Sequence, residues 1–383
     1  MDNKISLREL RRAIPHHCFR PSNICSLKYV FCDLILAISL GWLASTLIPH
    51  QPTFPLRCIS WMLYGYLQGL ILTGIWILAH ECGHEALFSS KIANHIVGFV
   101  LHSALLVPYF SWRYTHARHH RYTNHLGKDT AFVPRQEDET PRWLGMIRRF
   151  GVIEDTPFYA ICSLVLHQVL GLPAYLLFYS SGAQDGPPNE SWSFSRWSHF
   201  DPLSDLFTES EQPYVLLSTI GVGASISILI TLAQAVGVTN AFLLYGIPYL
   251  WVNNWLVALT YLHHNDPKIP HFEQSTWTFL DGALSTVDRP FGFVGRYLFH
   301  GIVDYRVVHH LFPRISFYHA EEATKAIVPL LGEAYHKDET PFWLALWRTF
   351  RSCRSVEADG AQPGVLRWKA VPMTEQQSKE KST

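Results

Sequence analysis

Seven histidines fall into three tight clusters: His80 and His84 in HECGH, His116, His119 and His120 in HARHH, and His309 and His310 in RVVHH. An eighth, His264, stands at the end of an apolar run, in TYLHH. Grouped imidazoles are a common means of holding transition metal ions, because a neutral ring offers a lone pair on one nitrogen and can be oriented through the other. Side chains at i, i+3 and i+4 share one face of a helix, so each cluster can aim its rings at a common volume. Iron bound by nitrogen, with positions left open, can reduce dioxygen to an oxidant able to cleave an unactivated C–H bond. Such an oxidant must be shielded from water, and an apolar tunnel in a membrane does so while admitting a lipid tail. The pattern predicts a metal-dependent membrane enzyme. Glu81, Glu85 and Asp304 are expected to accept hydrogen bonds that fix imidazole tautomers. His102, His125, His167, His271, His300 and His319 are read as helix-end or headgroup hydrogen-bonders.

Composition supports the membrane assignment. The 383 residues are 48% hydrophobic and 16% charged, with 13 Trp, 17 Tyr and 23 Phe, against roughly 25% charged in soluble globular chains. Aromatic excess suits a membrane boundary. With 31 basic and 31 acidic residues the formal net charge is zero, so nothing points to a nucleic-acid partner. Seven cysteines form no CxxC pair and no disulfide-like framework, which suits a reducing, cytosol-facing environment. Residues 1–27 are polar and carry Arg8, Arg11, Arg12 and Arg20, so a retained first anchor is expected rather than a cleaved leader.

The elements that must position the histidines are apolar stretches at 29–49, 59–79, 96–111, 158–179, 214–236 and 241–262, and a span needs about 20 residues. All clusters must emerge on one side of the bilayer to share a centre. A single stretch, 96–111, separates His84 from His116; short and interrupted by His102 and Pro108, it is expected to be re-entrant or interfacial. Three stretches separate His120 from His264, so one of them must also fail to cross; 158–179, with His167, Gly171 and Pro173, is the expected one. The expected fold is an all-α membrane protein with four transmembrane helices, interfacial or re-entrant helices and a cytosolic cap. The organisation expected is a cytosolic segment over 1–28, the membrane domain over 29–355 and a polar, disordered cytosolic tail over 356–383. Residues 184–213 read as a solvated linker. Arg113, Arg118, Arg121, Lys128, Arg142, Arg148 and Arg149 flank the second cluster and assign it to the cytosol, whereas the opposite loops near Pro49–Arg57 and Gly237–Asn240 hold a single Arg.

HECGH also fits HExxH, the zinc metalloprotease pattern, with Glu81 as general base. That reading needs only a third ligand and leaves HARHH and VVHH unexplained. HARHH alone could be a basic surface stretch meeting lipid headgroups.

The chain resembles the membrane fatty acid desaturases, in particular the microsomal delta-12 (oleate) class of fungal type. The resemblance runs through LRELRRAIPHHCFRPS, AHECGH, LLVPYFSWRYTHARHHRYTNH, KDTAFVPR, TYLHHNDPKIPHF, GALSTVDRPFG and FHGIVDYRVVHHLFPRISFYHAEEAT. It implies a histidine-box di-iron site in the cap, with His80, His84, His116, His119, His120, His264, His309 and His310 as the ligands. It further implies dioxygen as oxidant, cytochrome b5 and its reductase as electron donors, an acyl-lipid or acyl-CoA substrate and an endoplasmic reticulum membrane. No HPGG haem-binding segment is fused to the chain, so the donor is expected to be a separate protein. The ending KEKST resembles a dilysine retrieval signal.

Two positions depart from the family pattern. The third box is HxxHH in the family, and Arg306 stands at its first position; a guanidinium stays protonated and has no lone pair to give a metal. Asp266 stands where plant relatives have another histidine. Water, Asp304 or His300 is expected to fill the gap left by Arg306, with one iron under-ligated. The outcomes left open are desaturation, a diverged hydroxylase or acetylenase of a specialised lipid or polyketide pathway, and a weakly active acyl-binding relic.

Overall fold

The computed structural model describes residues 5–135, 157–183 and 196–369. Arg142, Arg148 and Arg149, part of the expected linker and the KEKST ending lie outside the described residues. Helices α1 (Leu7–Ala13), α2 (Asn23–Leu47), α3 (Phe54–Gly83), α4 (Lys91–Ala104) and α5 (Tyr109–Tyr122) are followed by α6 (Pro157–Phe178), α7 (Gln212–Val236) and α8 (Val238–His264). Helix α8 passes through a π turn at Phe242–Gly246. Four shorter helices follow among the described residues: α9 (Phe279–Leu284), α10 (Arg306–Leu311), α11 (Phe317–Leu331) and α12 (Phe342–Ser352).

Among the described residues, five helices are long and apolar enough to cross a membrane: α2, α3, α6, α7 and α8, the first running on to His50. Apolar side chains on their outer faces, such as Phe31, Ile38, Ile220 and Ile228, are exposed, as hydrocarbon surroundings allow. Helix α3 is the most enclosed of the five and packs against α2, α4 and α8. The 158–179 stretch, set aside in the sequence reading, is a helix long and apolar enough to span, with Pro173 accommodated inside it.

Local chemistry explains where the helices end beside the histidines. At the end of α3, Glu85 takes φ 58°, the N–H of Glu85 bonds the Cys82 carbonyl and that of Ala86 bonds the Glu81 carbonyl. This is a Schellman closure with His84 as its cap. The same closure ends α4: Leu106 has φ 57°, and Leu106 and Val107 donate to the Ser103 and His102 carbonyls. Pro108 then starts α5, so the α4–α5 pair is bent by 107°. That bend turns the third apolar stretch back on itself, the geometry of a re-entrant hairpin or a broken span.

Outside the long helices, α1 and the turn His16–Phe19 pack on α10 and α11 around Leu10, Ile14, Val308, Leu311 and Ile327. Ser6 and Glu9 form a capping box at the start of α1. The first residues of the expected tail are not disordered. Val356–Ala358 and Val365–Trp368 form strands β2 and β3, and β3 pairs antiparallel with both β2 and β1 (His271–Phe272). The reason is side-chain burial: Val356, Val365 and Leu366 are core residues that the polar average of 356–383 conceals.

Gly98 is where α4 meets its neighbours most closely, since a Cβ there would lie 2.3 Å from the Tyr109 ring and 2.8 Å from Cys82 Cβ. Gly98→Ala should destabilise the detergent-solubilised protein by about 1–3 kcal/mol through overpacking. Gly223→Ala, where nothing lies within 4 Å, should leave the thermal midpoint unchanged or slightly raised. Thermal unfolding of both variants checks this.

Candidate metal centre

Four helix segments bring the histidines together. His80 and His84 lie at the last turn and cap of α3, His116, His119 and His120 on the inner face of α5, His264 at the final residue of α8, and His309 and His310 on α10. All eight expected ligands meet, in two groups: His80, His84, His116, His120 and His309, and His119, His264 and His310. Within each group the nitrogens that could bind an ion lie within 4.8 Å of one another.

In the larger group the Nε2 atoms face one another, His80 to His84 at 3.3 Å, His84 to His116 at 3.0 Å and His116 to His120 at 3.1 Å. Neutral imidazoles crowded Nε2 to Nε2 cannot all satisfy one another with single protons, and a cation among the lone pairs resolves the conflict. Both nitrogens of His309 and the Nε2 of His310 are buried with no hydrogen-bond partner, as expected of rings waiting for a metal. Burial, with the guanidiniums of Arg306 and Arg113, pushes His84 down to about 3, so its ring is a neutral base at physiological pH. The donor set fits a transition ion.

The opposite nitrogens are anchored. His119 Nδ1 donates to Asp129 Oδ1 at 2.6 Å, which leaves Nε2 as its lone pair, 3.2 Å from His264 Nε2. Asp129 Oδ2 also accepts the N–H of Asn124, the residue that ends α5 with φ 57°. One carboxylate therefore fixes both a ring and the helix terminus that presents it. Thr123 Oγ1 lies 3.0 Å from His310 Nδ1. Glu81, fully buried, has Oε1 at 3.3 Å from His80 Nδ1 and 3.9 Å from His309 Nδ1, while Oε2 accepts the Phe317 N–H at 3.0 Å. Trp112 stacks on His116 with centroids 4.3 Å apart, and His120 stacks on His310 at 4.1 Å.

Arg306 lies inside the site. Its side chain is buried, and Nη2 stands 3.1 Å from His264 Nε2, donating to the lone pair a metal in the smaller group would use. Burial pulls the guanidinium down to about 9, with Glu81 and Asp288 opposing, so it remains charged at neutral pH. The three-imidazole group thus faces a fixed positive charge and competition for one of its ligands, and it fits a second cation less well than the larger group fits the first.

Neither expected substitute occupies that place. Asp304 Oδ1 accepts the Phe291 N–H at 3.0 Å, and His300 bonds Asp33 Oδ2 at 2.8 Å. Glu85, expected behind the ligands, instead pairs with Arg113, Lys91 and Arg314. Asp266 is held by Arg289 at 2.7 Å. His125 does hydrogen-bond, to Gln274. His102 and His271 are buried in aromatic surroundings with neither nitrogen paired, against Trp76 and Trp112 and against Trp368, rather than meeting headgroups. Sequence reasoning missed Asp129 and Thr123, although both lie in or beside quoted motifs.

A cavity of about 770 Å³ opens onto the centre, lined by Trp76, Ile77, His80, Trp112, His116 and His119 together with Leu166, Leu170, Leu256 and Tyr261. Its size falls within the ~300–1,000 Å³ of small-molecule sites. Arg306 and His263 also line it, whereas Glu81 does not. A zinc protease of HExxH type needs that glutamate beside a metal-bound water on the substrate side, so the placement of Glu81 behind His80 removes that reading.

Compared with known proteins, residues 59–341 match the family model described as fatty acid desaturase. The chain is 40% identical over 381 residues to an oleate hydroxylase of Claviceps purpurea, covering 94% of this chain and 80% of that protein. It is 42% identical over 365 residues to a delta(12)-acyl-lipid desaturase of Punica granatum, covering 95% and 90%. A delta(12) fatty acid desaturase of Mortierella isabellina is 41% identical over 367 residues, covering 93% and 89%.

Removing the anchor behind His119 should loosen the centre without removing a ligand. Asp129→Ala should lower metal retention or turnover about 10–100-fold. Metal content after gel filtration, beside product formation, reads the effect, and unchanged values for both would deny Asp129 this role.

Proposed function

The chain belongs to the fatty acid desaturase family, and from that premise we propose that it inserts a second double bond, at the delta-12 position, into a monounsaturated acyl chain carried on lipid or coenzyme A. The observation carrying this reading is the convergence of eight imidazoles in groups of five and three beside a cavity that His80, His116 and His119 line together with many apolar side chains. The larger group would hold one iron and the smaller a second, weakened by Arg306. Iron held there supplies the activation of dioxygen for C–H cleavage. The chain's own residues bind and orient: Leu166, Leu170, Leu256 and Val257 offer an apolar path for a hydrocarbon tail, and Trp76 and Trp112 wall the reacting end against water.

Topology follows from the convergence. Helices α2, α3, α7 and α8 cross, so α3 and α8 both deliver their histidine-bearing C-termini to one face, while the α4–α5 hairpin and α6 remain on that face. The excess of Arg and Lys around HARHH supports the cytosol as that side. Cytochrome b5 with its reductase as a separate electron source, and the endoplasmic reticulum as location, are supported by the family resemblance.

Hydroxylation of the same position is the second reading, favoured by the Claviceps purpurea relative and by the charge that Arg306 places beside His264. Expression in a host whose lipids are only saturated and monounsaturated, followed by fatty-acid profiling, separates the two. A new diunsaturated chain is expected. A hydroxylated chain would select the second reading, and neither product from folded, iron-bearing protein would refute both. Arg306→His should raise the iron-to-protein ratio of the purified enzyme; an unchanged ratio would remove the proposed effect of Arg306.

A further inference from the structure

Two motifs that carried the resemblance are left unused by the iron site: the HHCF turn near the start and YHAEE on α11. They meet. His17 Nε2 lies 2.8 Å from Glu322 Oε2, Cys18 Sγ lies 3.7 Å from His17 Nε2, and the His17 and His319 rings pack edge to face with centroids 5.3 Å apart. One donor atom from each of His17, Cys18, His319 and Glu322 falls within 4.8 Å of all the others.

We propose that these four side chains form a binding site for a divalent transition cation of the zinc class, fastening the N-terminal segment to α11. In a tetrahedral site with Zn–N of about 2.0 Å and Zn–S of about 2.3 Å, donor atoms stand about 3.3–3.8 Å apart, so small rotations of these side chains would enclose an ion. A Cys–His₂–carboxylate set is chemically a zinc set rather than a calcium or magnesium one. The scaffold is already in place. His17 and Cys18 are neighbours on a 3₁₀ turn, His319 and Glu322 are i and i+3 on one helix face, and the two segments are held independently by Ser22 N–H donating to Tyr318 Oη at 2.6 Å. Access also fits: the Cys18 thiol is buried, while His17 and Glu322 are 58% and 50% exposed and form the open side.

A plain surface ion pair between His17 and Glu322 is worth about 0–1 kcal/mol and accounts for neither the buried thiol nor the second imidazole beside it. On binding, the Cys18 proton leaves to solvent and the thiolate becomes a ligand. Burial and the facing Glu322 push that thiol up to about 11 in the absence of a cation, the imbalance a dication would reverse. The site also has a route to the catalytic centre. Helix α11 begins at Phe317, whose N–H is held by Glu81, the carboxylate behind His80 and His309.

The test uses full-length, iron-loaded protein in detergent with Co²⁺ as the probe. One further equivalent should bind with a near-ultraviolet thiolate-to-cobalt band and the visible absorption of tetrahedral cobalt, both removed by Zn²⁺. Cys18→Ser should abolish the thiolate band. His319→Ala should shift the visible envelope, and His84→Ala, in the iron site, should leave the thiolate band intact. Saturating Zn²⁺ at about a hundred times its Kd should slow tryptic cleavage after Arg11, Arg12 and Arg20 about 100-fold. No thiolate band in the unaltered protein, or a band that persists in Cys18→Ser, overturns the site whatever the variants do to folding. A cleavage rate indifferent to zinc overturns the fastening role.

Discussion

Imidazole lone pairs crowded together in a dry interior are the constraint on which the rest of the molecule depends. Each buried nitrogen left without a partner costs on the order of 1–3 kcal/mol, and nitrogens of His80, His120, His264, His309 and His310 are all in that condition. The fold tolerates the arrangement by anchoring ring backs: Asp129 on His119, Thr123 on His310, Glu81 close to His80 and His309. These anchors aim lone pairs inward before any ion arrives. The end of α3 serves the same purpose, since its Schellman closure stops the helix at His84, with His80 and His84 both in the five-imidazole group.

Arg306 alters this balance most directly in the smaller group, where it bonds His264, while its charge also reaches His84 in the larger. A guanidinium bonded to His264 partly neutralises the crowding in the smaller group by donating a proton, where an imidazole would have added one more lone pair. The larger group keeps its five nitrogens. The centre is therefore asymmetric in charge as well as in ligand number, and the asymmetry faces the cavity, because Arg306 lines it. A positive charge on the cavity wall favours negative charge in whatever occupies the cavity and penalises positive charge.

Much of the site was legible in the sequence, because i, i+3 and i+4 spacing on a helix fixes which side chains share a face. That rule placed His116, His119 and His120 together. It could not separate His119 from His116 and His120 into different groups, because that division depends on where α8 and α10 arrive from far downstream. Nor could it find Asp129, whose role comes from a loop that folds back beneath α5. The apolar stretches were visible and Pro108 marked the bend, while 158–179 forms a continuous helix with Pro173 inside it, long and apolar enough to span by length and composition. Over 356–368, by contrast, a few strand residues, Val356, Val365 and Leu366, decide the local structure while polar neighbours dominate the composition.

The C-terminal strand β3 carries a consequence for how the protein is handled. Trp368 lines the cavity together with Arg351, Cys353 and Arg354, so this stretch is part of the vestibule wall rather than a free appendage. Trimming back past Lys369, or fusing a bulky reporter directly onto it, perturbs the compartment that receives the hydrocarbon as well as any sorting information beyond it. Loss of product after such surgery therefore speaks first to the integrity of that wall.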